Sequence, residues 1–190
     1  MYITLFPVIL AGVFNMIWCK APVFNFMKKP IDGGMCIWDG KRLFGDNKTW
    51  KGFFGMMLGG TFLTIIWGLI CGTNEFFEAN NFMYATRENT IGYNGIMGLL
   101  LGFAYAVFEL PNSFIKRRVG ITPGKTAEGF KKIIFIFIDQ IDSILGCVLV
   151  VNMVYKMSVQ FYFCYVLVGA VTHIVINVLL YLLKLRKNMF

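Results

Sequence analysis

Two carboxylates, Asp139 and Asp142, lie three positions apart inside a long apolar segment. That spacing places both on one face of a helix. A carboxylate at membrane depth costs roughly 2.5–3.5 kcal/mol on insertion scales, so acids retained there usually serve a function. Carboxylate oxygens suit Mg²⁺, which takes its remaining ligands from water and from substrate phosphates. The pair therefore predicts a magnesium site. The alternative is a polar pair satisfied by neighbouring lysine or asparagine side chains.

A second polar group precedes that segment: Glu109, Asn112, Ser113, Lys116 and Arg117. Glu109, Asn112 and Lys116 share one face if the stretch is helical. Lysine and arginine bind the phosphates of a lipid or of a nucleotide. We expect Lys116 and Arg117 to hold phosphate, Asn112 and Ser113 to contact a nucleotide, and Glu109 to assist the metal. The alternative is that the basic side chains only snorkel to a membrane surface.

A third polar group lies nearer the N-terminus, in the segment 45–52 that glycines bound at both ends. It is dense for a mere connector and is flanked by residues that allow close backbone approach to phosphates. The alternative is a polar turn before a helix. We predict that it binds the nucleotide through Asp46, Asn47, Lys48, Thr49 and Lys51.

The elements that position these residues are apolar helices. The chain has 190 residues, 57% of them hydrophobic, and a mean hydropathy of +0.66, which is typical of a polytopic helical membrane protein. Five segments are long enough to span a bilayer, at about 2–19, 53–72, 92–110, 133–155 and 159–183. We predict an all-α membrane protein with one domain, residues 1–190. Two glycine pairs with four-residue spacing, Gly55 with Gly59 and Gly98 with Gly102, favour close helix packing.

The basic residues predict the orientation. Sixteen of the 18 Lys and Arg residues fall in the segments 20–51 and 116–132 and in the C-terminal tail, whereas the other two connections carry one each. The positive-inside rule then places the N-terminus outside and the C-terminus and two long loops in the cytosol. The net charge of +8 reflects this topology and anionic headgroups rather than nucleic acid. In the first loop, Trp38, Phe44 and Trp50 predict an ordered segment that buries aromatic rings.

Three of these segments resemble the CDP-diacylglycerol synthase family of membrane CTP-dependent cytidylyltransferases. Residues 113–117 read Ser-Phe-Ile-Lys-Arg and residues 139–143 read Asp-Gln-Ile-Asp-Ser, similar to that family's S-x-x-K-R and D-R-x-D-S elements. Residues 45–52 are similar to the archaeal branch, the CDP-archaeol synthases. The chain departs from the bacterial pattern, because Gln140 replaces the usual arginine and a P-G-H-G-G element is absent.

The resemblance implies transfer of a cytidylyl group from CTP to a lipid phosphate, giving a CDP-lipid and pyrophosphate. For the archaeal branch it implies an isoprenoid diether glycerol phosphate as the acceptor. It further implies Mg²⁺ at Asp139 and Asp142, with Glu109 assisting, and phosphate binding by Lys116 and Arg117. The enzyme would be a multi-pass protein of the cell membrane with its site on the cytosolic face.

Other functions stay open at this stage. A CDP-diacylglycerol synthase would use phosphatidate, and a CTP-dependent polyprenol kinase would release CDP instead of pyrophosphate. A small-ion transporter would use Asp139 and Asp142 along its path, near the midplane and between inverted repeats. A non-catalytic scaffold would bind anionic lipids through the basic loops, but it leaves the two aspartates unexplained.

Overall fold

The computed structural model describes residues 1–125 and 128–184, and the regular secondary structure within them consists of helices. Two isolated β-bridges, Pro30 with Thr49 and Cys36 with Arg42, are the β-structure of this part of the chain. The helices are α1 (Tyr2–Lys20), α2 (Trp50–Gly72), α3 (Glu75–Ala79), α4 (Ile91–Arg118), α5 (Phe130–Val154) and α6 (Val159–Leu182), with short 3₁₀ helices at Asn25–Lys28 and Phe82–Tyr84. Arg186 and Lys187 of the basic C-terminal tail lie outside the described residues.

Five of these helices, α1, α2, α4, α5 and α6, are long and apolar enough to cross a membrane. The prediction of five spans is therefore confirmed. The helices extend further at their polar ends than the apolar segments do. α2 starts at Trp50, where the Thr49 hydroxyl accepts a hydrogen bond from the Gly52 N–H. α4 continues through Pro111 to Arg118.

Those extensions change where the chemistry lies. Residues 109–117 form the last turns of α4 rather than a loop, because a proline inside a helix removes only one backbone hydrogen bond. α5 begins at Phe130, so Asp139 and Asp142 lie in its third and fourth turns, deeper than the sequence placed them. Both changes move the polar groups into the helix bundle.

Glycines set the packing of α2 against α4. A methyl group built on Gly98 would lie 2.4 Å from the Gly60 carbonyl oxygen, and one on Gly102 would lie 2.5 Å from the Met56 carbonyl oxygen. The prediction of close packing at Gly98 and Gly102 is confirmed. The other predicted pair faces α1 instead, where Gly55 lies under Trp18 and Gly59 under Phe14.

The first basic loop contacts the C-terminal end of α4, where the second basic loop begins. Arg118 Nη1 donates to Asp39 at 2.5 Å and its Nη2 donates to the Arg42 carbonyl, while Lys41 Nζ donates to the Arg118 carbonyl at 2.7 Å. We call this set of contacts the loop clasp. The expectation that the loop buries all its aromatic rings was wrong for Trp38, which is 89% exposed.

Asp32 stabilises the first loop through contacts of its buried side chain within that loop. Its side chain is fully buried and accepts from Arg42 Nη2 at 2.6 Å and from the backbone N–H groups of Gly34, Phe44 and Gly45 at 3.1, 3.0 and 2.9 Å. Burial alone raises the pKa of Asp32, but the hydrogen bonds from Arg42 and those backbone amides outweigh it and hold this pKa below its usual range. The carboxylate is therefore a structural centre of the loop.

Candidate active site

Asp139 and Asp142 converge on one side chain of α4. Asn112 Nδ2 donates to Asp139 Oδ1 at 2.6 Å and to Asp142 Oδ2 at 2.7 Å. Asp142 also accepts from the Ser143 N–H at 2.6 Å through its other oxygen. The i, i+3 spacing does place the two carboxylates together, and α4 supplies the group that holds them. A site of two carboxylates is thus built across the α4–α5 interface.

Lys116 partners Asp139. Its Nζ lies 2.5 and 2.6 Å from the two oxygens of Asp139, and its side chain is mostly buried. The ammonium also lies 5.7 Å from the centre of the Phe135 ring. Burying a carboxylate is costly unless an opposite charge accompanies it. Lys116 therefore stabilises the charge of Asp139 and fixes its orientation.

Asn112 has an unused acceptor at the same place. Its Oδ1 is buried and receives no hydrogen bond from the described residues. Two carboxylates and an amide oxygen are the hard oxygen ligands that Mg²⁺ takes in proteins. The orphaned oxygen beside two converging carboxylates therefore fits a hard divalent cation.

Arg117 is a buried cation that forms no hydrogen bond or close ion pair with the described residues. The residue is 8% exposed, and its Nε and Nη1 donate to no described residue. A buried charge without a partner is strongly unfavourable, and a planar guanidinium matches the oxygens of a phosphate. Arg117 lines the same cavity as the two aspartates. A phosphate bound in this cavity would supply the hydrogen-bond acceptors that Arg117 lacks.

Glu109 is paired with a lysine rather than with the two aspartates. Lys48 Nζ donates to Glu109 Oε2, which links the first loop to α4. Burial of Lys48 lowers its pKa, but the Glu109 carboxylate outweighs this and raises the pKa above its ordinary value. Within the described residues no group of three or more His, Cys, Asp or Glu side chains is placed to hold a metal. The contact that the structure shows for Glu109 is therefore its ion pair with Lys48.

The remaining residues of the first-loop segment divide into two groups. Asn47 and Lys48 line the main cavity, and Thr49 lines a smaller cavity next to it while it caps α2. Asp46 points away and forms an exposed ion pair with Arg42 at 2.7 Å. Of the residues predicted to bind the nucleotide, only Asn47, Lys48 and Thr49 of this segment therefore line a cavity.

Lys51 also lies outside both cavities. It is 1% exposed, and its ammonium donates to the carbonyls of Ala21 and Val23 at 2.7 Å each. It also lies 5.3 Å from the centre of the Trp18 ring. Since these carbonyls follow the last residue of α1, Lys51 satisfies orphan acceptors there. The structure gives Lys51 a helix-terminus contact in place of the expected nucleotide contact.

The main cavity has a volume of about 770 Å³ and runs between α1, α4, α5 and α6. Its polar end carries five cations and three carboxylates: Lys20, Lys48, Lys116, Arg117, Lys125, Glu109, Asp139 and Asp142. Ser113, predicted to contact a nucleotide, lines this end too, and its hydroxyl donates to the Glu109 carbonyl at 3.0 Å. The cavity therefore combines a charged end with walls formed by four spanning helices.

The rest of the cavity is an apolar groove. Leu5, Val8 and Ile9 of α1 face Val168 and Ile176 of α6 across it. α1 packs mainly on α2, and α6 packs on α5, so α1 and α6 leave the groove between them. The lining of α1 runs from Tyr2 to Lys20, about 27 Å of helix at about 1.5 Å per residue, close to the thickness of a bilayer core.

Sequence reasoning missed one polar pair on the groove wall. Gln140 is 2% exposed and accepts from Asn177 Nδ2 at 2.8 Å, and the Gln140 carbonyl lies 3.4 Å from His173 Nδ1. His173 thus contributes to the packing of α6 on α5. Asp32 was missed as well, since a lone aspartate between prolines and glycines gives no signal of the partners it will find.

Comparisons with known proteins agree with this arrangement. The family model described as "CarS-like: CDP-archaeol synthase" matches residues 4–190. The CDP-archaeol synthase of Methanococcus aeolicus is 30% identical over 161 residues, which cover 83% of this chain and 80% of that protein. That of Thermococcus kodakarensis is 35% identical over 116 residues, which cover 61% and 60%.

A solved structure has the same fold. It is described as an intramembrane enzyme for archaeal membrane lipids biosynthesis, and it superposes with a TM-score of 0.61 at 22% identity over 93% of this chain and 92% of that one. Since the family model spans almost the whole chain, the resemblance noted in the sequence is confirmed. The protein belongs to the CDP-archaeol synthase family.

Proposed function

We propose that this protein transfers the cytidylyl group of CTP to an archaeol-type glycerol phosphate lipid, releasing pyrophosphate. The observation that carries the proposal is the junction of two features in one cavity. A buried guanidinium without a partner, that of Arg117, adjoins the paired aspartates at one end of an apolar groove as long as a bilayer core is thick. The anionic and the apolar parts of a phospholipid precursor match these two regions.

The reaction needs no proton transfer. An oxygen of the lipid phosphate, already anionic at neutral pH, attacks the α-phosphorus of CTP. The bond from that phosphorus to the oxygen bridging to the β-phosphate breaks, and pyrophosphate leaves with the electron pair. Catalysis then depends on in-line positioning and on neutralising charge. A site whose polar groups are cations, carboxylates and amides suits such a reaction.

Each side chain has a defined part in this proposal. Arg117 holds phosphate oxygens of the nucleotide, helped by the flanking cations Lys20 and Lys125. Lys116 and Asn112 keep Asp139 and Asp142 together. Mg²⁺ would be held by these two aspartates, and when bound it would neutralise charge on the phosphates.

The groove supports a lipid acceptor. Its walls are apolar, and the lipid phosphate at its polar end would lie beside Asp139 and Arg117. The relatives named CDP-archaeol synthase favour an isoprenoid diether over phosphatidate. No described feature favours the transporter or the scaffold, since the two aspartates lie in a cavity together with an anion receptor.

We further propose that the loop clasp and the site face the cytosol, with the N-terminus outside. The support is the charge asymmetry, because both strongly basic loops lie at the same end of the bundle. This end is also where water-soluble CTP is available.

Release of pyrophosphate by the purified protein in detergent tests the function. The assay supplies Mg²⁺, each of the four ribonucleoside triphosphates, and either an isoprenoid diether glycerol phosphate or phosphatidate. We expect release with CTP and the diether lipid. Release with phosphatidate alone would move the proposal to a CDP-diacylglycerol synthase. CDP in place of pyrophosphate would indicate a kinase, and no reaction with any pair would overturn enzymatic function.

Native Cys36, exposed in the first loop, tests the orientation. A membrane-impermeant maleimide should label it only after intact cells are permeabilised. Glu75→Cys in the opposite loop should be labelled without permeabilisation. The reverse pattern would overturn the orientation and leave the proposed reaction unaffected.

A further inference from the structure

A second cavity adjoins the site on the far side of the Lys48–Glu109 ion pair. It has a volume of about 220 Å³ and lies between α1, α2 and α4, beneath the first loop. Asn47, Lys48 and Glu109 belong to the walls of both cavities. A group bound in the second cavity would therefore lie next to the charged end of the first.

The walls of this cavity are polar where the two cavities meet. Asn15, Asn47, Lys48, Thr49 and Glu109 line it, together with Cys19, Tyr105 and apolar side chains. A pocket made only for helix packing or for a lipid chain would not need two amides, an ammonium and a carboxylate. Because convergent polar groups in a small cavity fix the orientation of a bound molecule, this lining points to a heteroatomic ligand.

Several of these groups have unused hydrogen-bonding capacity. Glu109 receives Lys48 through Oε2, and no described residue donates to its Oε1. The Asn47 side chain forms no hydrogen bond with the described residues, and the Asn15 amide has one weak contact, from Cys19 Sγ at 3.7 Å. The cavity thus presents one carboxylate acceptor and two amides with free N–H groups.

We propose that this cavity binds the cytosine ring of CTP, with Glu109 accepting the 4-amino group and the amides of Asn15 and Asn47 donating to the ring's acceptors. The proposal rests on the function above and deepens it, because it locates nucleobase selection in the same site. Cytosine offers an amino donor at position 4, and a carboxylate is the side chain that reads this donor.

The same lining discriminates against uracil. Uracil has a carbonyl oxygen at position 4, so Glu109 would face a second acceptor and both groups would lose their hydrogen bonds. A volume of about 220 Å³ corresponds to roughly seven waters at about 30 Å³ each, so the cavity is large enough to hold a cytosine ring. Hydrogen bonding at position 4, rather than the size of the base, selects cytosine.

In this proposal Glu109 recognises the base instead of binding Mg²⁺. A ligand of Mg²⁺ would serve all nucleotides alike, and its loss would be offset by more Mg²⁺. A group that reads the base changes the ratio between nucleotides and does not respond to Mg²⁺. The two roles therefore separate in one experiment.

The experiment compares CTP with UTP in Glu109→Gln, which presents an N–H donor where the carboxylate accepted. We expect the ratio of kcat/KM for CTP to that for UTP to fall by about tenfold or more, at every Mg²⁺ concentration. Equilibrium binding of CTP and UTP without lipid should show the same change. An unchanged ratio, or recovery on raising Mg²⁺, would overturn the inference.

A second variant tests the location without touching Glu109. Cys19→Phe places a ring in the second cavity, and we expect CTP affinity to fall at least about tenfold. The matched control, Ile17→Phe, adds a ring to the outward face of the same helix, where the side chain is 55% exposed, and should leave CTP affinity unchanged. Equal CTP affinity in both variants would overturn the location.

These outcomes differ from failure of the proposed function. If the wild-type protein releases no pyrophosphate from CTP with either lipid, the reaction itself is wrong. If the wild type is specific for CTP but Glu109→Gln keeps the wild-type preference, only the assignment of the base pocket is wrong. Size-exclusion chromatography in detergent shows that each variant is folded before it is compared.

Discussion

At the scale of single residues, the site is defined by which charges are paired and which are not. Asp139 has Lys116, Glu109 has Lys48, and both aspartates share the amide of Asn112. Arg117 has no partner among the described residues. An active site that must receive highly charged phosphates keeps its own acids compensated and leaves a cation free for the ligand. That division is the basis of two predictions.

Asp142→Asn should leave the protein folded but without activity. The amide has the same shape, so packing is retained, whereas one of the two carboxylates that neutralise or bind a cation is lost. We expect pyrophosphate release to fall by roughly 10²-fold or more. Glu88→Gln in the opposite loop, the same chemical change, should have no effect. Wild-type pyrophosphate release by Asp142→Asn at limiting as well as saturating Mg²⁺ would contradict the metal assignment.

Arg117→Met should have opposite effects on stability and on binding. Replacing a buried unpaired cation with an apolar side chain of similar length removes a desolvation penalty, so the melting temperature of the ligand-free protein should rise. CTP affinity should fall by about tenfold or more, because the anion receptor is lost. Arg87→Met in the opposite loop serves as the control. A lower melting temperature in Arg117→Met would show that Arg117 has a structural partner.

At the scale of the elements, the close contact of α2 with α4 determines where the site residues lie. α4 carries Glu109, Asn112, Lys116 and Arg117, and α2 begins directly after the first-loop segment. Gly98 and Gly102 bring the two backbones together, since any side chain there would meet backbone atoms of α2. The position of the first loop over the cavity thus depends on glycines remote from the chemistry.

Gly102→Ala should destabilise the protein, because its new methyl group would lie 2.5 Å from the Met56 carbonyl oxygen and 2.7 Å from the Met57 Cα. Overpacking of this kind costs typically about 1–3 kcal/mol, so the melting temperature in detergent should fall. Gly92→Ala on the same helix has no atom within 4 Å of the new methyl group and should be neutral or slightly stabilising. Equal effects of the two substitutions would contradict the packing argument.

At the scale of the whole molecule, the loop clasp joins the first loop to the end of α4, where the second loop begins. Arg118 and Lys41 make this connection, and Asp32 holds the first loop in the shape that these contacts require. The second loop also contacts the first where Gly124 lies beside the Asn47 amide. Closure of the charged end is therefore a property of both loops together, and its stability depends on one buried carboxylate.

Asp32→Asn should destabilise the first loop by roughly 2–3 kcal/mol at neutral pH, because hydrogen bonds to a charged acceptor are lost. The folded-state pKa of Asp32 is below its usual value, so its contribution is complete above the unfolded pKa of about 3.9 and is lost as pH falls towards the folded pKa. The difference in melting temperature between wild type and variant should shrink below about pH 4.

The control for Asp32→Asn is Asp46→Asn. Asp46 pairs with the same arginine but is 67% exposed, and exposed pairs contribute roughly 1 kcal/mol or less. Its melting temperature should stay near that of the wild type across the pH range. A pH-independent difference for Asp32→Asn would contradict the role of the Asp32 charge.

The apolar helices and the types of residue in the site can be predicted from the sequence. Five spans follow from length and hydropathy, and the i, i+3 spacing of Asp139 and Asp142 fixes their common face, because both properties are local to one segment. The helix boundaries were predicted less accurately. The apolar segment of α4 ends at its first charged residue, whereas the backbone hydrogen bonds of this helix continue to Arg118.

The pairing of the charges, by contrast, depends on how the helices pack together. Lys116 and Arg117 are adjacent in the sequence, yet one contacts Asp139 and the other contacts no described counter-ion, because successive positions on a helix face different neighbours. Lys48 and Lys51 likewise differ, one facing Glu109 and the other the end of α1. Such partners come from helices distant in the chain, so spacing along one segment does not determine them.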